Sequence, residues 1–353
     1  MKRILFAAVL LGCLQPVLAA DVLHIYNWNN YIAPQTLQRF EASCNCKVNY
    51  TTYGSNEELL AKLAAGAKGY DILVPTGFAL ATLIKQKALK PLDKKLLPNL
   101  ANINPAYLNT AFDRGNVYSV PYAYTVTLLG YNEQKFKELG IPGDSWAALF
   151  DPKYLQKIRG KVTVLDDQRE LMAAALKYLG YSANDSDEAK WRQAAEVIRR
   201  AKPYWAAFNN TSYIRMLSTG DIWLAHGYSN DMYQANDAAA KAGKGVRIAY
   251  SVPKEGAVLA LDSMVIHTSA PRPDLAHRFI NFMLDGKNAA ELTNLIGSGN
   301  PNRAALPSIT PALAANPGIF PSGATLAKLE QLQDLDSRKR RTLNRLWTEI
   351  RLK

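Results

Sequence analysis

Strand-like and helix-like segments alternate from Asp21 onward, and that grammar leaves few folds open to the chain. "VLHIY" (22–26) reads as a buried strand, and Pro34 opens a helix that places Leu37, Phe40 and Cys44 on one face. Val48, Tyr50 and Thr52 alternate as in a strand, and Ser55 with Glu58 forms a capping box for a helix over 58–65. "YDILVPTG" (70–77) is a strand that stops at Pro75. Strand, helix, strand, helix, strand predicts a mostly parallel sheet with covering helices. The same grammar returns in "TSYIRMLSTGDIWLAHGYSND" (211–231), which parallels "SNEELLAKLAAGAKGYDILVPTGF" (55–78) in cap, short helix, glycine, Asp and apolar strand. Two α/β lobes built alike are expected. Open parallel sheets bind ligands beyond the carboxyl ends of their strands, so two facing sheets make a cleft lined by strand exits.

The 353 residues are enough for two such lobes. Lys2 and Arg3 before an apolar run from Ile4 to Leu14, then small residues up to Ala20, predict a secretory signal peptide over 1–20, too short to span a membrane. Leu10-Leu-Gly-Cys13 loosely resembles a lipoprotein processing site, so a lipid tether at Cys13 is the alternative. Two cysteines follow, Cys44 and Cys46. An exported compartment permits their pairing, but side chains two apart on an extended segment form a small strained ring. Pairing, the reduced state and an intermolecular link all stay open; a metal site does not, because no further ligand completes one. The formal charge of +12 becomes +10 without Lys2 and Arg3, and much of it lies in surface runs such as "SRKRRTLNR" (337–345). No reader motif or interleaved aromatics accompany it, so no nucleic-acid partner is expected.

Chemistry concentrates where strands end. "HIYNWNNYI" (24–32) leaves its strand into Trp28, Asn29, Asn30 and Tyr31; "YDILVPTG" leaves into Thr76. "KVTVLDDQRELMAAAL" (161–176) contributes Asp167 and Glu170, "IWLAHGYSND" (222–231) Tyr228 and Asp231, and "AVLALDSMVI" (257–266) Asp262. An acid inside an apolar strand costs several kcal/mol unless it is paired or hydrated, so Asp262 calls for a salt bridge, a wet edge or a ligand. The other features have structural readings too. Asp167 and Glu170 suit a capping box, Asp231 suits a helix cap, Tyr228 an interior aromatic, and Trp28 with Tyr31 a staple for the next helix. Together, carboxylates, aromatic faces (Phe78 among them) and neutral polar groups suit an organic cation.

Enzyme classes find little support. There is no GxGxxG, P-loop or HExxH, and "GYSND" lacks the second glycine of a nucleophile elbow. His24, His226, His267 and His277 have no metal spacing, and His226 on an apolar strand reads as a core residue. A carboxylate pair for hydrolysis is the remaining catalytic alternative. No cofactor and no metal are expected.

Taken together, "YNWNNYIAP", "SNEELLAKL", "YDILVPT", "KPLDKKLLPN", "VPYAYTVTLLGYN", "LDDQRELMAAALKYLG", "GDIWLAHGYSND", "YSVPKEGAVLALDSMVI", "NPNRAALP" and "NPGIFP" cover nearly the whole mature chain. They resemble the spermidine/putrescine-binding periplasmic proteins of bacterial ABC importers. The resemblance implies a two-lobed, type II solute-binding α/β fold, each lobe a mixed, mostly parallel sheet with flanking helices, joined by a hinge. Lobe 1 would comprise 21–130 plus 262–306 and lobe 2 131–261 plus 307–353, with chain crossings near 126–131 and 257–263. It implies a monomeric periplasmic receptor that delivers a polyamine to a membrane permease. It also implies that Trp28 and Tyr31 flank the amine, that Thr76 lies near it, and that Glu170, Asp231 and Asp262 bind ammonium groups, with Asp167 matching an acid of the spermidine-preferring branch. Four positions depart: Asn30 replaces an acid, Tyr228 a Trp, Ala260 a large aromatic and Ser298 a Tyr. A thinner cage with one anchor neutralised predicts a longer or bulkier amine, a guanidino amine or an ω-amino acid as alternatives to putrescine and spermidine.

Overall fold

A computed structural model describes residues 21–29, 31–321 and 323–352. The expected signal segment with Cys13, and Asn30, lie outside the described residues. Ten strands lie among those described: β1 (Val22–Trp28), β2 (Lys47–Tyr53), β3 (Ile72–Leu73), β4 (Ser119–Asn132), β5 (Val162–Val164), β6 (Ala207–Phe208), β7 (Leu224–Tyr228), β8 (Ile248–Ser251), β9 (Ala257–Ile266) and β10 (Leu329–Glu330). They join in the order β2-β1-β3-β9-β4-β7-β5-β6, with β8 on β4 and β10 on β9. Pairings within each half are parallel, as the alternation of helices requires, whereas β9 and β4 run antiparallel to their neighbours in the main path. The architecture is thus the expected two-lobed mixed α/β fold.

The two long strands carry the passage from one half to the other. Ser119–Val126 of β4 pairs with Leu259–Val265 of β9, and the remainder of β4 pairs with β7 and β8. A strand paired on both sides and covered on both faces is mostly apolar, with its few polar side chains such as Thr127 hydrogen-bonded, and β4 is buried along nearly its whole length. Its register shifts between Pro121 and Ala123, where proline has no N–H to give the ladder.

Several local expectations are corrected. The strand at 70–77 shrinks to Ile72–Leu73, because the Val74 carbonyl is taken by the Trp28 indole N–H and the Tyr53 hydroxyl and Pro75 cannot donate. The next helix backwards spans Asn56–Ala64; Ser55 caps it by accepting from the Glu58 N–H, while the Glu58 carboxylate reaches Gly54 N–H rather than Ser55. Cys44 and Cys46 form a disulfide. They are not on an extended segment: Cys44 ends the helix Pro34–Cys44 and Asn45 turns left-handed (φ 52°), which swings the two sulfurs together.

Candidate functional site

The N-terminal turns of two helices, one strand exit and the middle of β9 converge on Tyr228. Its phenol is held far above the ordinary range, first by burial and then by the charges of Glu170, Asp167, Asp231 and Asp262. The charges of four carboxylates contributed by three separate segments therefore act on one phenol. Asp262 is buried, and each of its oxygens accepts one hydroxyl: Tyr31 at 2.7 Å and Thr76 at 2.5 Å. Thr76 reaches it because its backbone bridges to Asp262 where β3 ends. The charge of Asp262 also raises the buried phenols of Tyr31, Tyr53 and Tyr122.

Asp231 accepts the Tyr213 hydroxyl on one oxygen and the Asn230 amide (3.2 Å) on the other. Tyr213 fits against β7 only because residue 227 is glycine: a Cβ there would lie 2.6 Å from the Tyr213 ring. Glu170 accepts the Thr127 hydroxyl at 2.7 Å, and Thr127 sits opposite Tyr228 in the β4–β7 ladder. Asp167 caps the helix Gln168–Tyr178 by accepting from Arg169 and Glu170 N–H. Glu170 lies in the first turn of that helix and Asp231 in the first turn of Ser229–Ala242, where unpaired N–H groups and the helix dipole favour negative charge.

The chain uses its buried and half-buried acids in two distinct ways. Asp113 accepts three backbone N–H groups and the Ser119 hydroxyl, and Asp71 accepts the His24 and Arg272 N–H groups; both are spent on the fold. Asp231, Asp262 and Glu170 take only side-chain donors and so keep lone pairs for a ligand. Burial pushes Asp262 up to about 6, opposed by its Thr76 and Tyr31 hydrogen bonds, and pushes Asp231 up to about 6, opposed by Tyr213. No lysine or arginine among the described residues pairs with either, so the salt-bridge reading of Asp262 is overturned. Burial, then the Asp167 charge, raises Glu170 as well, and the neighbouring Arg169 offsets this least.

The aromatic side is partly committed elsewhere. Trp28 is half-buried, donates its indole N–H to the Val74 carbonyl at 2.9 Å and packs on Tyr53 with centroids 4.7 Å apart. Tyr31 turns its ring edge to Tyr122. Phe78 lies in the helix Gly77–Lys85, half-buried. Ala260 stands two residues before Asp262 on the same face of β9, and Ser298 is fully buried. Asp231 is not the cap of its helix: Tyr228 occupies that position, without a capping side-chain bond. His226 is a core residue, neutral because burial lowers it to about 3. Among the described residues no three His, Cys, Asp or Glu side chains gather closely enough for a metal ion.

Sequence reading missed Tyr213, Thr127 and Asn230. Only Asn230 carried a local signal, an amide one residue before an acid; Tyr213 and Thr127 lie 18 and 43 residues from the acids they bond, and only the fold brings them there.

A putrescine/cadaverine-binding protein of Pseudomonas aeruginosa is 53% identical over the full length of both chains. The putrescine-binding periplasmic protein SpuD, also from Pseudomonas aeruginosa, is 39% identical over 94% of this chain and 93% of its own. The solved spermidine/putrescine ABC transporter substrate-binding protein PotD of Streptococcus pneumoniae superposes with a TM-score of 0.85 at 26% identity, covering 94% of this chain and 99% of that one. With the family match running over residues 35–321, the chain belongs to the bacterial extracellular solute-binding proteins, receptors of ABC transport rather than enzymes.

Proposed function

We propose that this protein captures short α,ω-diamines, of the putrescine and cadaverine type, between its lobes and presents them to an inner-membrane ABC permease as a periplasmic monomer. One observation carries the reading: carboxylates from separate segments bear on Tyr228, and among the described residues no fixed cation balances Asp231 or Asp262. A diamine supplies two such cations. One ammonium sits at Asp262, within reach of Tyr31 and Thr76, and the other at Asp231 and Glu170, while aromatic faces of Trp28 and Tyr228 cover the methylenes. Asp167 adds charge behind Glu170 rather than a direct contact, since its carboxylate caps a helix. The 53%-identical putrescine/cadaverine-binding relative favours a ligand of this length over the bulkier amines that the small residues Ala260 and Ser298 also suit. We divide the lobes as the sequence suggests, with one shift. Ile309, Leu313 and Ile319 share a core cluster with Ala289 and Ala290, so the last crossing is placed after Phe320 rather than at 307.

The test is titration calorimetry of the mature chain with putrescine, cadaverine, spermidine, agmatine and γ-aminobutyrate. Tight binding of the two diamines and none of the ω-amino acid is expected. Binding of γ-aminobutyrate as tight as that of the diamines, or no diamine binding, rules the reading out.

A further inference from the structure

Buried polar atoms without a partner are rare in folded proteins, and each calls for a physical account. Six side-chain atoms of this kind occur among the described residues, and two stand next to cleft acids in the chain: Asn230 Oδ1 beside Asp231, and Gln168 Oε1 between Asp167 and Glu170. Both are acceptors. The orientation of the Asn230 amide is fixed by its surroundings. Its Nδ2 donates to Asp231 Oδ1 at 3.2 Å, and a flip would press a carbonyl against a carboxylate. The carbonyl oxygen therefore has no hydrogen-bond role toward the carboxylate and is left buried and unpaired.

Asp231 cannot saturate a primary ammonium alone. One of its oxygens already takes the Tyr213 hydroxyl and the other the Asn230 amide, while a primary ammonium brings three N–H donors. We propose that Asn230 Oδ1 is a second acceptor for the ammonium held at Asp231, so that carboxylate and amide carbonyl together select a primary ammonium over an N-alkylated one at this end of the cleft. The inference rests on the diamine reading and adds a specificity-determining residue to it. Asn230 does two jobs with one amide: its N–H holds the acid, and its C=O reads the number of protons on the ligand nitrogen. Alkylation leaves the charge, and hence the attraction to Asp231, but removes the proton the carbonyl would receive.

A chemical double-mutant cycle separates these jobs. Putrescine and N,N,N′,N′-tetramethylputrescine are both dications, and the symmetrical methylation leaves one N–H at each end, so ligand orientation does not enter. Calorimetry compares the mature protein with Asn230→Ala and, against local collapse, the near-isosteric Asn230→Leu. Both substitutions should weaken putrescine about tenfold, the loss of roughly one hydrogen bond to a charged group, and tetramethylputrescine no more than about twofold. Equal weakening of both ligands would mean that Asn230 merely positions Asp231, and no weakening of either would mean that it does not meet the ligand; each result overturns the proposal. Wild-type protein that ignores putrescine altogether would instead sink the diamine reading, a distinct outcome.

Discussion

Asp262 presents a carboxylate whose two oxygens are each steadied by one hydroxyl and by no backbone group. Replacing it with Asn keeps the shape, removes the charge and leaves the ligand ammonium facing a neutral amide in a desolvated site. The expected loss is about 2–5 kcal/mol of diamine affinity, the range for breaking a buried charge pair. Calorimetry on Asp262→Asn checks this, and an unchanged dissociation constant removes Asp262 from the site. Asp113→Asn should do the reverse. It loses acceptors for the backbone of 117–119 and lowers thermal stability, while folded molecules keep their diamine affinity. The difference between these acids was half legible in the chain. Asp262 stood out because an acid in an apolar strand has to be explained. Its partners did not, since Tyr31 and Thr76 lie 231 and 186 residues away and only the fold brings them there. Asp167 was legible as a cap because capping is local; for Asp231 the cap was the structural alternative to a ligand acid, and it fails because Tyr228 holds the cap position and Asp231 lies in the first turn.

Elements were read more faithfully than their partners. The alternation of strands and helices gave the α/β class and the strand exits, since both depend on periodicity within a dozen residues. It left hidden the long antiparallel pairing of β4 with β9, because distant pairing has no local signature and both strands read simply as apolar. The close packing of β7 against the helix Tyr213–Thr219 was equally hidden, a contact that Gly227 permits. Gly227→Ala places a methyl group within contact-violating distance of both Tyr213 and Met232. Overpacking of this kind costs about 1–3 kcal/mol, and here the displaced Tyr213 also lets go of Asp231. We expect a lower melting temperature together with weakened diamine binding. A variant that loses stability but binds normally would show that the Tyr213 hydroxyl is dispensable to the site.

A chain of net charge +10 without its first residues holds a cleft of acids, and the two facts are compatible because distant surface charge is screened by salt whereas the cleft charges act at contact. The cost of keeping those acids unpaired should be visible in the stability of the whole molecule. Asp231 and Asp262 both rise from 3.8 to about 6 in the ligand-free fold. Between those two pH values the folded state binds more protons than the unfolded chain, so the contribution of these groups to stability falls as pH rises through that window. Above it, both are ionised and uncompensated. An ammonium ligand reverses the sign: by pairing with the carboxylates it draws their pKa values back down, and binding below pH 6 must first displace protons. The diamine-induced rise in melting temperature should therefore be small at pH 5 and large at pH 7.5, measured as the difference between ligand-bound and ligand-free protein so that carboxylates elsewhere cancel. The same difference should flatten in Asp262→Asn. A ligand-induced shift that is constant from pH 5 to 7.5 in the wild-type protein would mean that the cleft acids are already charged and balanced before the amine arrives, and the electrostatic basis of the receptor would have to be sought elsewhere.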